Sequence, residues 1–260
     1  MKKLIAIFIL LSTSYIIYDT SATYTKQTEA HVIDGITQGE LILINRQYAF
    51  QSDATDLVNL QKIIPNYIEI TGDYLLNTRA AESLTALFKR AKKDGVQNFK
   101  INSAYRDFHL QQKIYEETGD KYALPAGYSE HQTGLALDIG STQGIMSTSA
   151  EGIWLANYAH EFGFILRYPE NKTSITGIEF EPWHFRYVGL PHSAIMKEHE
   201  FVLEEYLSYI QATKELTYTV NDVTYTVIYV TENSYNDLPS KNLINISGNN
   251  LDGYIATYKK

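Results

Sequence analysis

The chain has 260 residues, 44% of them hydrophobic, with a formal net charge of −8 and no cysteine. That length and apolar content allow one sizeable core with small additions, and the lack of cysteine excludes disulfides and thiolate metal sites. A thin excess of acid, without basic blocks, argues against nucleic acid as a partner, since its binders usually carry a cationic face.

Lys2 and Lys3 precede an apolar run over residues 4–18, followed by Asp19, Thr20, Ser21 and Ala22. A charged start, a short apolar stretch and small residues after it describe an export signal over residues 1–22. The run is short for a spanning helix, which needs roughly 17–25 residues. If uncleaved it is a membrane anchor, with the rest of the chain outside. Residues 23–40 read as a polar linker. Leu41, Ile42, Leu43 and Ile44 predict a buried strand.

Ala81, Leu84, Leu87, Phe88 and Ala91 recur at three- and four-residue steps and predict a helix over 78–93. Lys92 and Lys93 suit its negative end and Gly95 its stop. Alternation at Phe99, Ile101 and Ser103 predicts a strand within 97–105. Asp107 is placed to cap a helix running to about Thr118, ended by Gly119. A helix over 151–162 stopped by Gly163, then a strand over 164–168 closed by Pro169, follow. Ser193 is placed to cap a last core helix through about Tyr209. Beyond it, a hairpin turning at Asn221 and Asp222, and strands over 244–258 broken at Gly248 and Gly253, form a small all-β appendage. The expected organisation is a catalytic domain over 41–210 and the appendage over 211–260. The 21 tyrosines suit half-buried strands and peptide- or glycan-facing surfaces equally.

Residues 129–138 read Ser-Glu-His-Gln-Thr-Gly-Leu-Ala-Leu-Asp, and residues 181–184 read Glu-Pro-Trp-His. Together they offer two imidazoles and a carboxylate as metal ligands, and a second carboxylate as a base. His131 and Asp138 are seven positions apart. On one strand that odd spacing puts them on opposite faces, so the chain must turn between them, and Gly134 is placed for the turn. Beyond it Ala136 and Asp138 share one face, while Leu135, Leu137 and Ile139 share the other. Pro182 stiffens the second motif, so that Glu181 stands beside the metal while His184 binds it. Such a set fits a hydrolytic zinc site. The metal lowers the pKa of its water towards about 7, and Glu181 takes the proton as the water attacks a carbonyl. Taken singly the same residues are a capping serine, a core histidine and a solvated Glu-Pro turn. His31, His109, His160, His192 and His199 read as surface or helix residues.

The two motifs resemble those of the VanY-like branch of zinc D-alanyl-D-alanine carboxypeptidases, bacterial enzymes of cell-wall peptidoglycan. That family carries Ser-x-His-x-x-Gly-x-Ala-x-Asp and Glu-Pro-Trp-His, both unbroken here. A third family feature, Ser-x-Tyr-Arg with a glutamine five residues after the arginine, stands at Ser103, Ala104, Tyr105, Arg106 and Gln111. The similarity covers roughly residues 40–210. Asp107 departs from relatives, which often have serine there.

The resemblance implies that Zn2+ is held by His131, Asp138 and His184, with Glu181 as catalytic base. It gives Arg106 the substrate, at either its terminal carboxylate or the developing oxyanion. A guanidinium at a strand end suits a carboxylate through paired hydrogen bonds. Gln111 and Ser129 are expected to face the same place, and Tyr168 and Trp183 to wall the cleft or pack in the core. The expected fold is α+β, a mainly antiparallel sheet carrying the zinc site with flanking helices. The expected function is removal of the terminal D-Ala from peptidoglycan stem peptides or lipid-linked precursors, outside the cytoplasm, with glycopeptide resistance as the implied role. Alternatives are an L,D-carboxypeptidase acting on tetrapeptides, an endolysin-type endopeptidase, which the export segment disfavours, and a wall-binding module with structural zinc. The retained Glu181 and an open fourth metal position speak against the last.

Overall fold

A computed structural model of the chain describes residues 35–120 and 123–260. The expected export segment and the linker up to residue 34 lie outside the described residues. No helix among the described residues is long and apolar enough to cross a membrane.

Leu41, Ile42, Leu43 and Ile44 are all buried, but they form no strand, which corrects the expectation. Their backbone is satisfied piecemeal rather than by a ladder. Leu43 N–H donates to Asn249 C=O at 3.1 Å, and Ile42 C=O accepts from the Arg186 guanidinium at 3.0 Å. Apolar burial alone does not make a strand where no extended neighbour lies alongside.

Three short strands follow, β1 (Leu57–Asn59), β2 (Glu69–Ile70) and β3 (Leu75–Asn77), with β1 and β3 paired antiparallel. Then α1 spans Thr78–Lys93 as expected, its N-terminus capped by Asn77 Oδ1, which accepts from the N–H groups of Arg79 and Ala80. Next come β4 (Phe99–Ser103) and α2 (Phe108–Thr118). Asp107 caps α2, accepting from Leu110 N–H at 2.7 Å, and Gly119 ends it with φ 75°. Strand β5 (Ala136–Ser141) leads to α3 (Ala150–Tyr158), a 3-10 turn stopped by Gly163, β6 (Phe164–Leu166), the short α4 (Thr173–Thr176) and β7 (His184–Tyr187).

The central sheet has the order β2-β4-β5-β7-β6, and every pairing except β2–β4 is antiparallel. Its inner face joins α1 and α3 in one core that includes Leu84, Leu87, Phe88, Phe99, Ile101, Leu137, Ile139 and Trp154. Burying each such large apolar side chain favours folding by about 1.5–3 kcal/mol. The fold is therefore α+β, with a mainly antiparallel sheet.

The single helix expected from Ser193 to Tyr209 is two, α5 (His192–Glu198) and α6 (Leu203–Thr213). Glu200 between them has φ 54°, a left-handed turn that no continuing helix tolerates. Ser193 caps nothing, and its hydroxyl donates to His160 C=O at 2.7 Å. Glu205 steadies the start of α6 instead, accepting from Val202 N–H at 3.0 Å.

The expected hairpin is β8 (Glu215–Val220) and β9 (Val223–Val230), turning through Asn221 and Asp222 with φ 51° and 59°. Two left-handed residues at a two-residue turn match the twist of the flanking strands. Strands β10 (Leu243–Gly248) and β11 (Tyr254–Lys259) complete an antiparallel sheet of order β10-β11-β9-β8. This sheet is not free-standing. Val227, Tyr229 and Ile255 share a second core with Leu41, Leu43, Ile165, Val188, Leu203, Leu207 and Ile210.

Candidate active site

Glu130–Thr133 forms one 3-10 turn ended by Gly134 at φ 71° and ψ 12°. That left-handed backbone is what favours glycine here; a Cβ would meet Leu57 Cδ2 at 2.6 Å, the end of a side chain that can turn aside. The turn does what the seven-residue spacing requires. It delivers the chain into β5 with Leu135, Leu137 and Ile139 in the core and Asp138 on the opposite face. On β7, His184 lies directly across from Asp138, and Ser103 of β4 lies across on the other side. Glu181 C=O accepts from His184 N–H at 3.1 Å, closing a four-residue turn with Pro182 at its second position. That turn puts Glu181 and His184 on one side, Oε2 of the first 3.8 Å from Nδ1 of the second.

The donor atoms of His131, Asp138 and His184 lie within 4.8 Å of one another, and among the described residues this is the one such group. His131 Nε2 is 3.4 Å and His184 Nδ1 is 3.2 Å from Asp138 Oδ1. Ligands at zinc bond lengths of roughly 2.0–2.1 Å sit about 3.3 Å apart along a tetrahedron's edge, and both histidine–aspartate separations match that edge. The rings stand nearly perpendicular, with centroids 5.0 Å apart. Each imidazole is held from behind, His131 Nδ1 by Ala104 C=O at 2.6 Å and His184 Nε2 by Glu130 Oε2 at 3.3 Å. Those contacts leave His131 Nε2 and His184 Nδ1 to face the metal position.

Arg106 lies beside this group. Its Nε donates to Ser103 Oγ at 3.0 Å, Nη1 to Gln111 Oε1 at 3.3 Å and Nη2 to Asp138 Oδ2 at 3.1 Å. Gln111 is buried and ties the next loop down, its Nε2 donating to Leu124 C=O at 2.7 Å. Ser129 is buried, and its hydroxyl makes no capping bond. Tyr168 is buried against the His184 ring, centroids 4.9 Å apart, whereas Trp183 is 41% exposed. Arg106, Gln111, Ser129, Tyr168, Trp183, Glu181 and the three candidate ligands all line one cleft of about 380 Å³. The structure thus brings together every site residue expected from the sequence. Of the other histidines, His31 lies outside the described residues, and His109, His160, His192 and His199 stand apart from the group.

Burial opposes ionisation of Asp138, but the two imidazoles outweigh it and hold its carboxyl well below the usual range. Burial likewise works against a charged His184, yet hydrogen bonds to Asp138 and Glu130 push it up to about 9. A divalent ion held by His131, Asp138 and His184 would take the place of that proton. Glu181 differs. Burial raises its pKa, His184 and Arg106 pull it down, Asp138 pushes it up, and the net direction is upward. A carboxylate so raised is a better proton acceptor than an ordinary one.

Several residues here escape sequence reasoning. Arg46, from the segment before β1, lines the same cleft and pairs with Asp120 at 2.6 Å. Glu130, Arg167 and Arg186 are buried together behind His184. One signal points to the arginines. Arg167 directly follows the apolar β6 and Arg186 stands between two aromatic residues of β7, and a charge that deep requires a carboxylate partner.

The family profile for VanY, D-alanyl-D-alanine carboxypeptidase, matches residues 73–190. A D-alanyl-D-alanine carboxypeptidase of Enterococcus faecium is 47% identical over 229 residues, covering 85% of this chain and 76% of that protein. The chain belongs to the VanY D-alanyl-D-alanine carboxypeptidase family. Among solved structures, the vancomycin-resistance D,D-dipeptidase VanXYg, in complex with a D-Ala-D-Ala phosphinate analogue, superposes with TM-score 0.74 at 31% identity, covering 86% of this chain and 95% of that one. A mutant of the vancomycin-resistance D,D-pentapeptidase VanY from a VanB-type cassette, in complex with Zn(II), gives 0.55 at 34% identity, covering 65% and 98%. The first likeness extends past the VanY profile to most of the chain.

Proposed function

We propose that this chain is a zinc-dependent D-alanyl-D-alanine carboxypeptidase that removes the terminal D-Ala from peptidoglycan stem peptides or their precursors. One observation carries the reading: two imidazoles and a carboxylate converge within 4.8 Å, with Glu181 and Arg106 flanking them in one cleft. His131, Asp138 and His184 would hold the ion. Bound Zn2+ supplies the Lewis acidity that brings an attacking water's pKa near neutrality. Glu181 accepts the proton from that water and passes it to the leaving D-alanine nitrogen.

Arg106 orients the substrate. A guanidinium has five N–H donors, and Ser103, Gln111 and Asp138 take three. One N–H therefore remains on each terminal nitrogen among the described contacts. Two remaining donors can serve a terminal carboxylate, with the Ser129 hydroxyl in the same cleft as a third. Tyr168 and Trp183 wall the cleft.

The charged start and apolar run over residues 2–18 support export, catalysis outside the cytoplasm and attachment to the membrane where the segment is retained. Lipid-linked precursors would then be within reach as well as finished wall. Removing the terminal D-Ala removes a D-Ala-D-Ala end, which supports a role in glycopeptide resistance alongside the vancomycin-resistance relatives.

Mass spectrometry of pentapeptide and tetrapeptide stems after incubation with zinc-loaded protein tests the reading. Loss of one alanine from the pentapeptide alone is expected. Trimming of the tetrapeptide alone would make it an L,D-carboxypeptidase, and cleavage of neither would leave a binding module.

A further inference from the structure

Behind the metal position lies a buried charge network outside the expected catalytic set. Glu130, Arg167 and Arg186 have fully buried side chains. Glu130 Oε1 accepts from Arg167 Nε at 2.8 Å and from Arg186 Nη1 at 2.7 Å, while Oε2 faces His184 Nε2 at 3.3 Å. Arg167 continues to α6, where both terminal nitrogens donate to the Glu204 carboxylate at 2.9 and 2.7 Å. Arg186 continues to the buried segment before β1, donating to the carbonyls of Glu40 and Ile42 at 3.0 Å each. Two guanidinium and two carboxylate charges balance.

Stability does not explain such an arrangement. Burying the charges of Glu130, Arg167 and Arg186 costs several kcal/mol per ion, and well-packed apolar side chains often do as well or better. The geometry has a direction. Both arginines grip one oxygen of Glu130, which fixes the carboxylate and leaves its other oxygen for the imidazole.

We infer that Glu130 is a positioning residue for the metal centre. Clamped by Arg167 and Arg186, it holds the His184 proton on Nε2, keeps Nδ1 free for the ion and fixes the ring plane. The inference rests on the zinc reading above. Glu204 and residues 40–42 buttress the clamp, so a metal ligand is steadied by parts of the chain outside the 73–190 family region. Glu130→Gln keeps the size of the side chain but turns one acceptor oxygen into a donor, against either the arginines or the imidazole. Losing such a partner typically costs about 10–100-fold in metal affinity.

Zinc affinity of the folded full chain, measured by chelator competition, should therefore fall about 10–100-fold in Glu130→Gln, and by less in Glu204→Gln. Nitrogen-15 NMR of metal-free wild type at alkaline pH should find the neutral His184 proton on Nε2. A proton on Nδ1 overturns the inference, as does a Glu130→Gln protein that melts lower yet binds zinc like wild type. If Glu130→Gln fails to fold, the wild-type tautomer and the Glu204→Gln affinity decide. Failure of wild type to bind zinc would sink the zinc reading instead, and the tautomer would still decide the role of Glu130.

Discussion

Arg106 and the candidate metal position share the two oxygens of the Asp138 carboxylate. Asp138 Oδ2 lies 3.1 Å from Arg106 Nη2, while Oδ1 faces both imidazoles at 3.4 and 3.2 Å. One oxygen is thus spent on the guanidinium and the other on the ion. The residue proposed to grip the substrate is thereby fixed relative to the metal, and with it the distance from substrate terminus to attacked carbonyl.

Arg106→Ala is expected to lower kcat/KM by about 100- to 1000-fold, the scale for losing a donor to transition-state charge, while zinc affinity changes far less. A stem ending in a C-terminal amide separates the two candidate roles. If Arg106 holds the carboxylate, wild type cleaves the amide poorly and the variant narrows the gap between acid and amide. If it serves the oxyanion, the variant loses both substrates equally, through kcat. Arg106→Lys should not rescue, because one ammonium cannot span Ser103, Gln111 and Asp138 and still face the substrate.

Removal of metal should be visible in stability as well as activity. A ligand that binds only the folded state stabilises it by RT ln(1 + [L]/Kd). Chelation is expected to lower the melting midpoint of wild type, and added zinc to restore it. His184→Ala removes one of three donors and should show neither response. A zinc-dependent shift preserved in that variant would reassign the ligands.

The C-terminal sheet is expected to melt with the rest of the chain, because Ile255 and Val227 lie in the same core as Leu203, Leu207 and Ile210 of α6. Ile255→Ala should cost about 2–5 kcal/mol and shift a single cooperative transition. Two separate transitions, with only one moved, would show an independent appendage.

His192 gives a pH dependence remote from the metal centre. It is buried, and its nitrogens meet Tyr206 Oη at 2.6 Å and Thr257 Oγ1 at 2.9 Å. Burial, reinforced by Arg79, lowers its pKa to about 3. The folded pKa lies below the unfolded value of about 6.5, so the unfolded chain takes up the proton first as pH falls. The stabilisation is complete above about pH 6.5 and is lost progressively towards pH 3, at about 1.4 kcal/mol per pH unit at most. Denaturant unfolding at pH 7 and pH 5 should show a loss about 2 kcal/mol larger in wild type than in His192→Gln. Equal losses would contradict a buried neutral His192.

Much of the site is legible in the sequence because its geometry is local. The Gly134 turn, the alternation from Leu135 to Ile139 and the Pro182 turn each act over a few residues, and together they fix where His131, Asp138, Glu181 and His184 point. The helix capped by Asp107 and the hairpin at Asn221 and Asp222 are legible for the same reason. What escaped is set by distant partners. Glu130 meets Arg167 and Arg186 across 37 and 56 positions, and nothing in the neighbouring residues announces either contact. Residues 41–44 look like a strand, but their surroundings belong to Asn249 and Arg186, far along the chain. The break between α5 and α6 was hidden because His199 and Phe201 keep an aromatic, helix-compatible composition. In the fold those two rings stack, centroids 5.1 Å apart, around the left-handed Glu200.

The most direct test pairs zinc content with turnover in one variant. Glu181 stands 3.8 Å from His184 Nδ1, and is proposed as a base rather than a fourth ligand. Glu181→Ala should keep one zinc per chain and release D-alanine from a D-Ala-D-Ala pentapeptide about a hundred- to ten-thousand-fold more slowly than wild type. A variant that retains zinc and turns over normally would remove Glu181 from the mechanism, and with it the catalytic reading of this cleft.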